Sequence, residues 1–387
     1  MRKACTLIIL ILLIFCFVNC EEKPRTGSMS MTPSDMMRRL NSSQSNSGNA
    51  GNKNKVITPY IPSEFELPIN GATGYAAVFL PLYETKSEEA NIISRLRAGQ
   101  AFTILNEEND WWFIRVNNIQ GWVMSILCMI NIPDIIPSII HDNTNTYSSL
   151  FKSSGINIPN VTGRALYQSK GYNARLSKEE YIAPVYYRMA GKIYAAQRAA
   201  LAEGNSLIIY EAFRPASAHN VVYDELLALS RTNPVVYRGL NTPPYTFQWF
   251  LLPAPFNHQR GTAIDVSLAK ILDSEIRLSG NYNYTYITRY VEYEMQCPMH
   301  ELSIRAVVFK DMVSSISETA WIDTVFADSV TQGTVLMHKY LTRTGLTPLA
   351  SEWWHFNDLE NTSIAIEKGI TGYYLLTETF SVPPYHF

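Results

Sequence analysis

The sequence predicts an α+β domain preceded by a small all-β barrel. Three observations predict it. Between 64 and 129, short alternating or apolar runs follow one another closely, with polar turns between them. From 130 onward, helical periodicity and short strands mix without a repeating strand–helix–strand unit. An apolar fraction of 47% over 387 residues can fill the core of one large and one small domain. A formal net charge of -2 gives no basis for nucleic acid as a partner.

Residues 1–20 form an export signal. Arg2 and Lys3 are its positive part, and Leu7 to Val18 is an apolar run too short for a comfortable membrane span. The ending Phe17-Val18-Asn19-Cys20 resembles a bacterial lipoprotein signal, with Cys20 as the lipidated residue. Asn19 is larger than the residue usual before such a cysteine, so a simple cleaved signal and an uncleaved anchor stand as alternatives. Lipidation implies an exported, membrane-anchored protein facing the periplasm or cell wall. Residues 21–63, rich in Ser, Asn, Gly, Met and Pro, read as a disordered linker. As a flexible coil it spans about 35 Å. Outside the signal, Cys128 and Cys297 read as buried free thiols, with a cross-domain disulfide as the alternative.

The small domain, 64–129, is expected to place strands at Ala76–Leu80, Ala101–Leu105, Trp112–Val116 and Gln120–Val123. Asn106-Glu107-Glu108-Asn109-Asp110 and Asn117-Asn118 supply the turns. Leu96-x-x-Gly99, Trp112-Phe113-Ile114-Arg115-Val116 and Gly121-Trp122-Val123 resemble pieces of bacterial SH3-like domains, which often bind cell-wall peptides. At least one of Trp111, Trp112 and Trp122 belongs in the core; an exposed one suits a ligand groove.

In the large domain, 130–387, Ser177-Lys178-Glu179-Glu180 matches a capping box, with Pro184 as the alternative first turn of the main helix. Val185, Met189, Ile193, Ala196 and Ala200 repeat at helical spacing, and Gly204 suits the helix end. A buried strand at Ser206–Tyr210 delivers Glu211-Ala212-Phe213-Arg214-Pro215, and Pro215 opens a helix to about Ser230. Glu301–Ser314 reads as a further helix, and Leu346–Leu349 leads into a strand at Glu352. His141, His219, His338 and His386 read as structural.

The chemistry sits in Phe256-Asn257-His258-Gln259-Arg260-Gly261-Thr262-Ala263-Ile264-Asp265. Alternation over Ala263–Leu268 turns Asp265 to one face of a strand, and His258 lies on the loop feeding it. An imidazole and a carboxylate suit Zn²⁺. A catalytic zinc needs a third ligand and an open position, and Ser351-Glu352-Trp353-Trp354-His355-Phe356 supplies both a ligand and a base. In that E-x-x-H spacing His355 binds metal, while Glu352 reaches a water as general base. Arg214, at a strand end, offers forked donors for a developing oxyanion; a structural salt bridge is the alternative.

These motifs resemble the zinc D-alanyl-D-alanine dipeptidases of the vancomycin-resistance type, within the wider zinc D,D-peptidases. The family's H-x-x-G-x-A-x-D is His258 to Asp265, its late E-x-W-H is Glu352-Trp353-Trp354-His355, and its Y/F-R-P is Phe213-Arg214-Pro215. The order is the family's, and the match runs from about Ile139 to the C-terminus. The resemblance implies an α+β zinc D,D-peptidase domain with one Zn²⁺ on His258, Asp265 and His355. It implies Glu352 as base, Arg214 stabilising the transition state and Glu211 orienting that Arg. The expected reaction is hydrolysis of D-Ala-D-Ala in cell-wall metabolism.

Two departures touch the substrate's N-terminal side. The family's M-x-x-P-F-D-E carries an Asp for the dipeptide ammonium, and here Met295-Gln296-Cys297-Pro298-Met299-His300-Glu301 has His300 instead. Glu301 is the nearest substitute. Phe256 replaces the family's Ser two places before the first His. A D,D-carboxypeptidase trimming peptidoglycan stem peptides is therefore the alternative, and a non-catalytic cell-wall-binding lipoprotein a third.

Overall fold

The computed structural model describes residues 65–384. The expected signal 1–20 with Cys20, the expected linker 21–63 and His386 lie outside these residues. The fold is mixed α and β, built on two sheets that are antiparallel apart from one strand pair.

The first sheet uses β1 (Thr73–Ala76), β2 (Leu80–Tyr83), β3 (Ile92–Leu96), β4 (Ala101–Glu108), β5 (Trp111–Val116), β6 (Ile119–Met124) and β7 (Cys128–Asn131). Three of the four strands expected here form. The fourth expected segment, Ala76–Leu80, instead covers the break between β1 and β2. In β5, alternate residues face inward: Trp112, Ile114 and Val116 are buried, while Trp111, Phe113 and Arg115 are half-buried. Trp112 packs edge-on to Tyr187 at 4.5 Å, and Trp122 lies 5.2 Å from Phe113 on the outer face. Among the described residues the sheet is an open path of eight strands, not a closed barrel. It also extends past 129. Pro184–Tyr186 pairs with β7, and the C-terminal segment hydrogen-bonds across β1 through Val382 N to Gly71 O and Phe380 N to Thr73 Oγ1.

After β7 come the short strands β8 (Ile140–His141), β9 (Lys152–Ser153), β10 (Ile156–Asn157), β11 (Lys170–Asn173), β12 (Lys178–Tyr181) and β13 (Pro184–Tyr186). The capping box expected at Ser177–Glu180 is thus a correction. Lys178 and Glu180, two apart, meet at 2.6 Å as same-face neighbours of a strand. The main helix, α1 (Tyr187–Ala202), starts after Pro184, which is a strand residue. Its buried face is Met189, Ala190, Ile193, Ala196, Gln197 and Ala200. Gly204 follows it with φ +75°, a left-handed turn that glycine adopts without a Cβ clash.

The second sheet carries Glu211, Asp265, Glu352 and His355. Its strands are β14 (Asn205–Glu211), β15 (Ala263–Ser279), β16 (Tyr282–Glu292), β17 (Thr347–Leu349) and β18 (Glu352–Asn357), with β8 parallel to β14. Helix α2 (Ala216–Thr232) follows β14 in the chain, and α1 and α3 (Gln332–Thr342) pack against the sheet. Residues 263–269 are buried on both faces of β15, so Asp265 is enclosed rather than surface-facing. The helix expected at Glu301–Ser314 does not form beyond the single turn Ile304–Ala306. His300 takes a left-handed φ of 61°, and the backbone is extended at Ser303 and again at Val307, so the helical geometry is confined to that one turn. Cys128 and Cys297 are buried free thiols. Among the described residues no helix is long and apolar enough to cross a membrane.

Candidate metal centre

Strand register builds the site. Glu211 on β14 opposes Asp265 on β15, and Asp265 opposes His355 on β18. Three neighbouring strands therefore carry the three side chains in one row. His258 comes from the four-residue helix Asn257–Arg260, not from the expected loop. Gln259 Oε1 accepts from Phe256 N at its start, and Gly261 ends it with φ +70°. A Cβ at Gly261 would stand 2.8 Å from Tyr186 N, so only glycine lets the chain turn there into β15.

Asp265 Oδ1, His258 Nε2 and His355 Nδ1 lie 3.1 Å from one another. The far nitrogens of both rings already have acceptors. His258 Nδ1 donates to Ala212 O at 2.6 Å, and His355 Nε2 donates to Asn357 Oδ1 at 2.9 Å. Asn257 Nδ2 donates to the same Asn357 oxygen at 2.7 Å. These bonds fix the tautomers and turn two lone pairs toward the carboxylate. Three acceptors thus face one point. One proton can serve one pair among them, whereas one cation serves all three. Bonds of 2.0–2.1 Å in a tetrahedron separate ligand atoms by about 3.3 Å, close to what is found. Two nitrogens and one oxygen are a donor set that fits zinc.

The other oxygen of Asp265 is held apart from this point. Oδ2 accepts from Arg214 Nη2 at 2.9 Å and from His300 Nε2 at 3.1 Å. Arg214 Nε donates to Glu211 Oε2 at 2.6 Å, and Glu211 Oε1 accepts from Asn145 Nδ2 and Tyr167 Oη. Glu211, Asp265 and His300 form a second set of clustered ligand atoms, but the guanidinium bridging the two carboxylates is already their cation. His219, taken from sequence as structural, contacts Arg214 Nη1 through Nδ1 at 3.4 Å, with its Nε2 donating to Leu252 O.

Burial shapes the charges. Desolvation raises the Asp265 carboxyl and lowers His258, but the neighbouring imidazoles hold Asp265 well below the usual carboxylate range. Asp265 pulls His355 upward against its own burial. Burial pushes Glu352 up to about 8, with its Oε2 3.9 Å from His355 Nδ1.

His258, His355, Glu352 and Arg214 line one cavity of about 350 Å³, with apolar walls from Phe151, Leu252, Phe256 and Ile316. The expected residues His258, Asp265, His355, Glu352, Arg214 and Glu211 come together here, and Phe256 stands on the wall. His300 joins through Asp265, stacked on Phe151 at 4.2 Å. Glu301 does not join them: it accepts from Gly155 N at 3.1 Å and Ser303 Oγ at 2.7 Å. Sequence reasoning missed Asn145, Tyr167 and Asn357. Only Asn357 had a signal, lying two residues beyond His355 on the same strand face. No family model matches the chain, and no curated protein matches its sequence.

Proposed function

We propose that the chain is a zinc metallopeptidase that hydrolyses the D-Ala-D-Ala amide bond in cell-wall metabolism, exported and anchored through Cys20. The observation that carries the reading is the convergence of His258, Asp265 and His355 on one point, with Glu352 beside it on an open cavity. The motif order of the zinc D,D-peptidases supports it. The first sheet, with half-buried Trp111 and Trp122, is read as an SH3-like module for wall peptides.

Zinc, when bound, supplies Lewis acidity and a water acidified toward neutral pH. His258, Asp265 and His355 would hold it. With a cation held there, the ionised form of Glu352 would be favoured, and that carboxylate can act as base. Glu352 takes a proton from the attacking water as its oxygen bonds to the peptide carbon. The carbonyl electron pair moves onto oxygen, where Arg214 helps offset the charge. Glu352 returns the proton to the amide nitrogen as the C–N bond breaks, giving a carboxylate and an amine. Glu211, His219 and Asp265 keep Arg214 in place.

A second reading, D,D-carboxypeptidase activity on stem peptides, is favoured by Glu301, whose carboxylate is engaged away from the cavity. The test is zinc-dependent release of D-Ala from free D-Ala-D-Ala and from a stem pentapeptide, with Glu352→Ala as control. Release from either supports the peptidase. Release from neither supports a non-catalytic wall-binding protein.

A further inference from the structure

We propose that His300 is a positioning residue: it occupies the second oxygen of Asp265, so that this carboxylate meets a metal through Oδ1 alone and one coordination position stays open. The inference rests on the metal centre of the peptidase reading above and gives that centre a further residue.

Expected at the substrate's N-terminal side, His300 instead has no exposed surface and stays off the cavity wall. Its Nε2 lies 3.1 Å from Asp265 Oδ2. Arg214 Nη2 donates to the same oxygen at 2.9 Å. A carboxylate oxygen facing a guanidinium accepts, so His300 Nε2 carries the proton between them. Two donors engage the lone pairs with which Oδ2 could reach a cation, while Oδ1 faces His258 and His355. An aspartate free to bind through both oxygens would fill the position that a hydrolytic zinc keeps for water.

The fold holds this imidazole in place from several sides. Its ring stacks on Phe151 at 4.2 Å and meets Trp354 edge-on at 5.8 Å. Arg214 Cζ lies 5.1 Å from the same Phe151 ring, so both donors to Oδ2 pack on one side chain. The backbone is tied as well. Lys152 N donates to His300 O at 3.1 Å, and Glu301 accepts from Gly155 N and Ser303 Oγ. His300 carries its left-handed φ of 61° at an energetic cost, because it has a Cβ. Its Nδ1 is buried and has no hydrogen-bond partner among the described residues, a second cost. A phenyl ring would fill the same stack without the unpaired nitrogen. What the imidazole adds is the Nε2 donor, and the acceptor it meets is the carboxylate of the candidate metal centre.

The test measures zinc affinity by chelator competition, and the visible spectrum of the cobalt(II) form, in the full chain and in three variants. His300→Phe keeps the stack and lacks the donor. His300→Asn adopts the left-handed backbone readily and is too short to reach Oδ2. His300→Gln can place an N–H near the position of Nε2. The parent's cobalt spectrum should be tetrahedral; a five- or six-coordinate spectrum overturns the proposal without any variant. Phe and Asn should each weaken zinc binding about 10- to 100-fold, with lower cobalt absorption per bound ion as coordination rises, and Gln should recover part of both. Melting temperature identifies the variants that fold. Zinc affinity within about twofold of the parent and an unchanged cobalt spectrum, in a folded Phe or Asn variant, overturn the positioning role. Equal losses in Gln and Phe also overturn it, because packing alone would then explain His300. A parent that binds no metal overturns it together with the peptidase reading. The expected changes, in a chain that hydrolyses neither D-Ala-D-Ala nor a stem pentapeptide, keep the positioning role and remove the peptidase reading.

Discussion

Asp265 and His355 are direct cross-strand partners, and Asp265 Oδ1 lies 3.1 Å from His355 Nδ1. The backbone ladder between β15 and β18 therefore sets the separation of two of the three atoms that could hold a metal. A slip of one residue would turn either side chain to the opposite face. The third atom, from His258, is tied to the same frame by its bond to Ala212 O, just beyond Glu211 at the end of β14. A site held by strands rather than loops is preorganised, which is what metal binding and proton transfer both require.

Glu352→Gln should keep zinc and fold but lose about 10²–10⁴-fold in turnover, the range for removing a general base. Steady-state kinetics with parallel zinc analysis checks this. Turnover within threefold of the parent would remove Glu352 from the mechanism.

Arg214→Ala should lose about 10²–10³-fold in kcat. It should also be less stable by about 3–5 kcal/mol, because Glu211 and Asp265 would be left buried without their cation. Arg214→Lys cannot bridge both carboxylates and should recover little of either loss. Kinetics and urea denaturation separate the two effects, and an unchanged kcat would leave Arg214 a purely structural residue.

Zinc affinity should fall in acid. Asp265 raises His355, so a proton competes with the metal for Nδ1, and below the raised value affinity drops about tenfold per pH unit. Chelator competition at pH 6, 7 and 8 measures it. Flat affinity across that range argues against His355 as a ligand.

His338 gives a stability prediction away from the candidate metal site. It is fully buried on α3 among Phe309, Phe326 and Phe356, neither ring nitrogen has a partner, and burial lowers it to about 3. A pKa below the unfolded value of about 6.5 means the neutral form stabilises the fold above that pH. That contribution, on the order of 5 kcal/mol, is lost as pH falls from about 6.5 to about 3. Denaturation of the parent and His338→Leu across this window should show a shallower acid loss in the variant. Identical slopes would contradict the burial argument.

The motif residues were legible because their spacing survives as chemistry. His258 and Asp265 bracket a glycine that must turn, and Glu352 and His355 share a strand. The main helix and β14 were legible from apolar period. Glu301–Ser314 was not, because its apolar residues are enclosed by neighbouring segments rather than arrayed on one helical face. The pairing of Pro184–Tyr186 with β7 and the crossing of the C-terminal segment over β1 were also hidden. Such long-range backbone bonds leave no local periodicity.

Zinc content of the purified full chain tests the central claim most directly. One zinc per chain in the parent, falling below about a tenth in both His258→Ala and Asp265→Ala with the fold intact, is the expected result. A parent that binds no zinc under saturating conditions, or variants that retain it in full, would overturn the metal centre and the peptidase reading with it.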